Sequence, residues 1–205
     1  DAQESRGLGD VYKRQAVDLG LSVKWADVNL DMGYDDYAAL TPENIQDDMT
    51  RYFNGLIGWG DPTGIKKSEI ESDYPKASSI SGTIYDVAKV KWGGKWRVAT
   101  QNEFQELISA CIWTWEERNG YYGYKVIGPN GNSIFLPTTG YRIGFSWYSS
   151  DKGYYWTGTM RPGTSPYPYV LNFDKENKGL NTSSVSGLAY PFKHFGCAIR
   201  PVQDE

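Results

Sequence analysis

Side chains able to attack, ligate or shuttle protons are scarce in this chain. It carries one histidine, His194, and two cysteines, Cys111 and Cys197. A single imidazole excludes a histidine metal cluster and any scheme that needs two imidazoles. The cysteines stand too far apart in sequence for a metal-ligand pair. They either join as a disulfide in an exported protein or stay as buried thiols. Gly144-Phe145-Ser146-Trp147-Tyr148 lacks the second glycine of a nucleophile elbow, and no Walker or dinucleotide glycine pattern occurs. Asp174 to Gly179 faintly suggests a calcium loop, but Lys178 stands where a ligand belongs and Val185 where the closing glutamate belongs. The acidic pairs Asp35-Asp36, Asp47-Asp48 and Glu116-Glu117 are sequence neighbours, so their carboxylates diverge and do not converge on a bond. Asn181-Thr182-Ser183 matches a glycosylation acceptor, a pattern frequent by chance. No catalytic residue, metal site or cofactor is assigned.

Recognition chemistry is better represented. Trp, Tyr and Phe make up 15% of the chain, and Tyr and Trp offer large contact area at low entropy cost. At least half of them are needed for a core. The candidates for contact lie toward the C-terminus. Met160 to Pro168, rich in Pro, Gly and Ser, presents Arg161 and Tyr167. Tyr169, Leu171 and Phe173 alternate with Val170, Asn172 and Asp174, so the odd set is expected to pack inward and the even set to face out. Asn172 and Asp174 are then contact residues, with Asn177 in the turn that follows. Tyr169 is counted with them, although its alternation also allows a packing position. Tyr190 to Phe195 adds Tyr190, Lys193, His194 and Phe195; Phe192 and Phe195 suit a core equally well. Aromatic and cationic groups converging on one face are the usual make-up of a binding hot spot. Trp96, Trp156 and Arg200 read as scaffold: Trp156 as core, and Arg200 as a hydrogen-bonding brace for strand ends.

The elements that must hold these residues are legible in part. Val17, Leu19, Leu21, Val23 and Trp25 occupy alternate positions around Gly20, which predicts two short strands. Thr41-Pro42-Glu43 is a helix start, with a helix to about Phe53. Gly55 to Gly64 reads as a loop, Lys66 to Ser81 as an exposed polar stretch, and Ile84 to Val90 as a short helix stopped before Gly93-Gly94. Thr100-Gln101-Asn102-Glu103 is a capping box, followed by Phe104, Leu107, Ile108 and Cys111 on one helical face. Cys111 on that stripe favours simple packing. Tyr124 to Ile127 and Ser133 to Leu136 form a hairpin across Gly128 to Asn132. Tyr154 to Trp156, Tyr169 to Phe173 and Cys197 to Val202 are further short strands. Two helices followed by antiparallel hairpins predict an α+β domain.

Size and charge bound the rest. The chain of 205 residues suits one domain, taken as residues 16 to 205. Residues 1 to 15 are expected to be a disordered tail. Arg6 to Gln15 resembles translated sequencing-adapter read-through, so an export signal would not be visible. With 21 Lys and Arg against 25 Asp and Glu, the net charge is -4, which argues against nucleic acid as a partner. No apolar run reaches the roughly 18 to 20 residues of a membrane span, so direct membrane insertion is not expected.

Trp92 to Leu107, Trp-Gly-Gly-Lys-Trp-Arg-Val-Ala-Thr-Gln-Asn-Glu-Phe-Gln-Glu-Leu, resembles bacterial surface and secreted proteins with a C-type lectin fold of the formylglycine-generating-enzyme type. Similar blocks are Val17 to Ala26, Gly58 to Gly64, Ile80 to Ala88, Asn119 to Lys125, Gly128 to Pro137, Gly140 to Arg142, Gly153 to Thr159 and Ala198 to Val202. The resemblance runs in order from residue 16 to 202, and is nearest to gut-anaerobe paralogous domains and the variable proteins of diversity-generating retroelements. It implies two main helices with short antiparallel strands and long loops. It also implies a non-enzymatic, receptor- or adhesin-like monomer at the cell surface or secreted. Such a protein would hold an unknown protein or glycan ligand on a C-terminal surface open to retroelement diversification. A subunit or tip component of a surface fibre is the alternative. An oxidase-like enzyme is disfavoured, because the paired active-site cysteines and the histidine cluster of the related enzymes are missing. Asp27 to Asp31 departs from the usual segment after the first Trp, and the helix expected at Thr41 to Phe53 is an insertion. The sugar-binding triplets Glu-Pro-Asn and Trp-Asn-Asp are absent, so calcium-dependent sugar binding is not implied.

Overall fold

The alternation from Val17 to Trp25 closes the first pair of strands. In the computed structural model, which describes residues 15–30, 55–118, 120–163, 167–185, 187–188 and 190–204, β1 (Ala16–Asp18) pairs antiparallel with β2 (Lys24–Ala26), Val17 opposite Trp25. Leu19 and Trp25 are fully buried. Gly20 turns the chain at a φ of 74°, which an L side chain rarely adopts. The helix expected at Thr41 to Phe53 and the N-terminal tail lie outside the described residues.

The sequence next builds β3 (Ile57–Gly58), a 3-10 turn at Glu71–Asp73, helix α1 (Val87–Trp92), β4 (Trp96–Val98) and helix α2 (Gln101–Ala110). Asp86 starts α1. Its carboxylate accepts the backbone N–H of Lys89 at 3.0 Å, of Gly82 at 2.7 Å and of Val98 at 2.9 Å, tying the helix to β4. Burial raises the Asp86 carboxyl above its ordinary range, against the pull of those N–H groups. The capping box at α2 forms in full: Thr100 Oγ1 accepts from Glu103 N, and the Glu103 carboxylate accepts from Thr100 N at 2.7 Å. Phe104 and Leu107 of its apolar stripe are fully buried, and Ile108 and Cys111 pack against them from the edge.

The rest is strand: β5 (Ile112–Arg118), β6 (Tyr121–Ile127), β7 (Ser133–Pro137), β8 (Tyr141–Ile143), β9 (Ser146–Tyr148), β10 (Gly153–Met160), β11 (Pro168–Phe173), β12 (Lys178–Leu180), β13 (Gly196–Cys197) and β14 (Pro201–Gln203). They form four small sheets, ordered β1-β2-β14-β4, β10-β11-β12, β3-β13-β8-β9 and β5-β6-β7, with every strand pair antiparallel. The hairpin expected between Tyr124 and Leu136 is present, with Tyr124 opposite Leu136.

This corrects the fold expectation. The domain is mostly β, 38% strand against 12% helix, with four small antiparallel sheets and two helices among the described residues; it is not α+β in the sense that the sequence suggested. The physical reason lies in the stretch after α2. Ile112 to Arg118 and Tyr121 to Ile127 are dominated by aromatic and β-branched residues, which favour a pleated surface. They run as seven-residue strands.

Two apolar clusters fill the interior. One gathers Leu19, Trp25, Phe104, Leu107, Tyr155, Leu171 and Phe173, with Trp25 edge-on to Phe104 at 4.9 Å. The other gathers Ile57, Trp59, Val87, Tyr154, Trp156, Val170 and Cys197. Strand β11 runs between them, so both of its faces are covered. The alternation is therefore corrected: of the expected outward set, Val170 and Asn172 are fully buried, while Tyr169 of the expected inward set is only half-buried. Cys111 and Cys197 are both free thiols, and burial pushes Cys111 up to about 11 and Cys197 well above its usual value.

Leu107→Ala is expected to cost about 2–5 kcal/mol and Thr100→Ala about 1 kcal/mol. Asp86→Ala takes the acceptor from three backbone N–H groups and is expected to cost about 2–4 kcal/mol. Urea midpoints of the three variants check the order: Thr100→Ala must be the mildest.

Candidate functional site

The residues around the C-terminal loops enclose a cleft of about 670 Å³. One wall is Pro75 to Ser78. Beside it runs the end of β10 with the residues that follow, Met160 to Gly163, and Tyr167. Phe192, Lys193 and Glu71 close the third side. The walls are tied by backbone hydrogen bonds. Met160 N donates to Ser78 O at 2.8 Å, Arg161 N to Tyr167 O at 2.7 Å, and Trp59 N to Lys193 O at 2.8 Å. Trp59 is itself fixed, fully buried, with its indole N–H donating to Thr157 O at 2.9 Å.

Of the expected contact residues, Arg161, Tyr167 and Lys193 line the cleft, and Tyr190, His194 and Phe195 adjoin it. The rings form a continuous cluster. Tyr167 lies 5.6 Å from Phe192 and 6.0 Å from Tyr190, Phe192 stacks on His194 at 5.5 Å, and Phe195 stands edge-on to His194 at 4.8 Å. Phe195 also stacks on Tyr141, which makes it the inner member of the group. The Arg161 guanidinium lies over the Tyr190 ring, 5.7 Å from its centre.

The other four do not reach the cleft. Tyr169 sits half-buried on β11. Asn172 is a buried lock: its Nδ2 donates to Thr182 O at 2.9 Å and Leu188 O at 3.3 Å, and its Oδ1 accepts from Thr182 N at 3.0 Å. Asp174 shapes the β11–β12 turn, accepting from Glu176 N at 2.9 Å and Asn177 N at 2.8 Å, with Asn177 Nδ2 at 3.3 Å. The expected outward position for Asn172 fails because its amide is spent on the backbone of the following loop. Asn181, the glycosylation candidate, likewise accepts from Val170 N at 3.2 Å through its side chain. Of the scaffold residues, Trp96 is buried edge-on to Trp92 at 5.1 Å. Trp156 is fully buried and donates its indole N–H to Ile57 O at 2.7 Å. Arg200 spreads across Asn29 Oδ1 at 2.8 Å, Ala26 O at 3.0 Å and Phe135 O at 2.7 Å.

Sequence reasoning missed Glu71. It lies in the stretch expected to be merely polar and exposed, yet it organises the cleft's inner charges. Its Oε2 is 3.1 Å from His194 Nδ1, and its Oε1 accepts from Lys193 N at 3.3 Å and lies 3.6 Å from Lys193 Nζ. Lys193 is almost wholly buried, and its ammonium also donates to Pro75 O at 3.2 Å. No local pattern pairs residue 71 with residue 193; only the fold does. The dyad of His194 and Glu71 orients an imidazole, but the imidazole faces are taken by Phe192 and Phe195. Among the described residues no group of three or more His, Cys, Asp or Glu is placed to hold a metal ion. No protein family, curated protein or solved structure matches this chain.

Behind Lys193, Tyr74 is buried and its hydroxyl is pushed up to about 12, chiefly by burial. Nearby, burial and then the Arg142 guanidinium lower the Lys67 ammonium to about 8. Between that value and the ordinary lysine value the unfolded chain binds the extra proton, so stability rises as pH climbs from about 8 toward 10. Above about 10 the raised Tyr74 hydroxyl acts in the opposite sense, since in the unfolded chain it ionises first. Lys67→Met is expected to remove the rise: urea midpoints of parent and variant must converge as pH goes from about 7 to 10, with the variant the more stable at the lower end.

Proposed function

We propose that this chain is a non-catalytic binding domain, exported to the cell surface or secreted, that holds its ligand in the cleft lined by Pro75–Ser78, Met160–Gly163, Tyr167 and Phe192–Lys193. The observation that carries this reading is the convergence of Tyr167, Phe192 and Arg161 on one cleft whose frame is hydrogen-bonded from three separate parts of the chain. Its volume of about 670 Å³ lies within the range of roughly 300–1,000 Å³ usual for ligand pockets. The exposed members, Tyr190 and Phe192, are 54% and 43% accessible, so binding would bury aromatic surface that folding leaves wet.

The same geometry suits sequence diversification. Arg161, Tyr190 and Phe192 project from loops, whereas the strand hydrogen bonds next to them are made by backbone groups that any side chain would keep. Retroelement-driven variation is therefore part of the proposal. Its test is the flanking DNA, where a reverse transcriptase gene and a template copy of the C-terminal codons should stand.

Binding is tested with an Arg161→Ala, Tyr167→Ala, Phe192→Ala variant against glycan arrays and a panel of candidate host proteins. The variant should keep the parent's melting temperature within a few degrees. Against any ligand the parent binds, it should lose at least about a hundredfold in affinity, because hot-spot truncations cost about 2 kcal/mol or more each. A folded variant that binds as tightly as the parent puts the site elsewhere.

A further inference from the structure

Building on that reading of the cleft, we infer that its ligand is an amphiphilic anion: a carboxylate carried on a flat apolar body one or two rings in size, not a polyhydroxylated sugar. The argument starts from charge. The cleft is lined by three cations, Lys76, Arg161 and Lys193, and by one carboxylate, Glu71. That carboxylate is already engaged on both oxygens, Oε1 by Lys193 and Oε2 by His194. Lys193 is spent as well, since its ammonium serves Glu71 and the carbonyl of Pro75. Two cations remain at the rim. Lys76 and Arg161 are exposed, and neither has a carboxylate partner among the described residues.

Their placement decides the geometry. The Arg161 guanidinium lies over the Tyr190 ring, 5.7 Å from its centre, and lines the cleft with no carboxylate partner among the described residues. Such a planar fork is suited to the two oxygens of a carboxylate. Lys76 is a point charge that lines the same cleft, so an anion seated there shares its surroundings with both cations. The rest of the lining is largely apolar, with Pro75, Met160, Tyr167 and Phe192. A polyol would leave most of its hydroxyls unpaired there, at a cost. An aromatic or aliphatic ring would instead pack against Phe192 and Tyr167.

The test uses 2-naphthoate as probe, its neutral analogue 2-naphthamide, and glucuronate as the polyol anion. Titrations are followed by naphthalene fluorescence and, for glucuronate, by NMR shifts of the protein. Naphthoate should bind at least tenfold more tightly than either comparison molecule. A Lys76→Ala, Arg161→Ala variant should weaken naphthoate tenfold or more and leave naphthamide unchanged, and Phe192→Ala should weaken both aromatic probes. Raising the salt to about 0.5 M should weaken naphthoate and not naphthamide. Both cations are exposed, so their removal leaves no cavity; an Arg161→Glu variant, which should lose naphthoate further, guards against compensation by Lys76. If naphthamide equals naphthoate and both depend on Phe192, the anion assignment is overturned while the cleft stands as a binding site. Tighter binding of glucuronate overturns the apolar body. If naphthoate fails to bind, or binds without regard to Phe192, the ligand class proposed here is overturned. The cleft itself is then judged by the triple variant described above.

Discussion

The whole arrangement depends on how residues 196 to 203 thread through the molecule. Gly196 pairs with Gly58 and with Arg142, and Cys197 with Ile57, which places β13 between β3 and β8. One residue on, Ala198 bridges to Tyr155 of β10, donating to Tyr154 O at 3.0 Å and accepting from Trp156 N at 2.9 Å. β14 then inserts between β2 and β4. A few consecutive residues therefore join three of the four sheets, and the two apolar clusters meet across them. The threading tolerates little. A Cβ on Gly196 would stand 2.4 Å from Arg142 Cγ and 2.6 Å from Leu56 O, so the position requires glycine for close approach. Two buried guanidiniums brace the ends of this path. Arg142 donates to Leu56 O at 2.6 Å and Lys66 O at 2.8 Å, and Arg200 to the carbonyls of Ala26 and Phe135. Such buried charge is tolerable because the donors are met by carbonyl oxygens.

The proposed site follows from that threading. The loop from Tyr190 to Phe195 enters the rigid path immediately before Gly196, and Lys193 within it is held by Trp59 N and Glu71. Phe195 stacks inward on Tyr141, whereas Phe192 and Tyr190 stand out into solvent. The Met160–Tyr167 loop leaves β10 and returns to β11, the pair of strands that lies between the two clusters. The cleft is thus framed by strands, while Tyr190, Phe192 and Arg161, its exposed members, lie outside them.

How much of this the residues announce depends on whether the cause is local. The β1–β2 turn at Gly20, the capping box at Thr100 and the Tyr124–Leu136 hairpin each arise from neighbours in sequence, and each is present. Asn172 is misjudged because alternation assumes one buried face, and β11 has two; which strands flank it is a fact of topology, not of the segment. The balance of helix and strand fails for a related reason, since the residues after α2 were not read as the long strand pair they form. At the cleft, Arg161, Lys193 and Tyr167 are visible as two cations and an aromatic in loop-forming contexts. Glu71 is invisible because its partners lie on the far side of the chain, and a carboxylate in a polar stretch carries no mark of the lysine it will meet.

Charge adds a constraint on how the proposed cleft can work. The chain carries a net charge of -4, so its field at a distance does not draw anions in. The cationic character of the cleft is local, made by Lys76 and Arg161 beside a carboxylate that Lys193 already pairs with and that lies within hydrogen-bond distance of His194. At physiological salt the screening length is about 8 Å, shorter than the width of the molecule, so an approaching anion feels the two rim cations only on arrival. Recognition of this kind rests on contact, not on steering, and association would proceed at ordinary unsteered rates, with selectivity expressed in how slowly the ligand leaves. The buried Lys193 contributes to this indirectly. By holding Glu71 against its own backbone, it keeps the carboxylate from pairing with the rim cations and leaves their charge for the ligand.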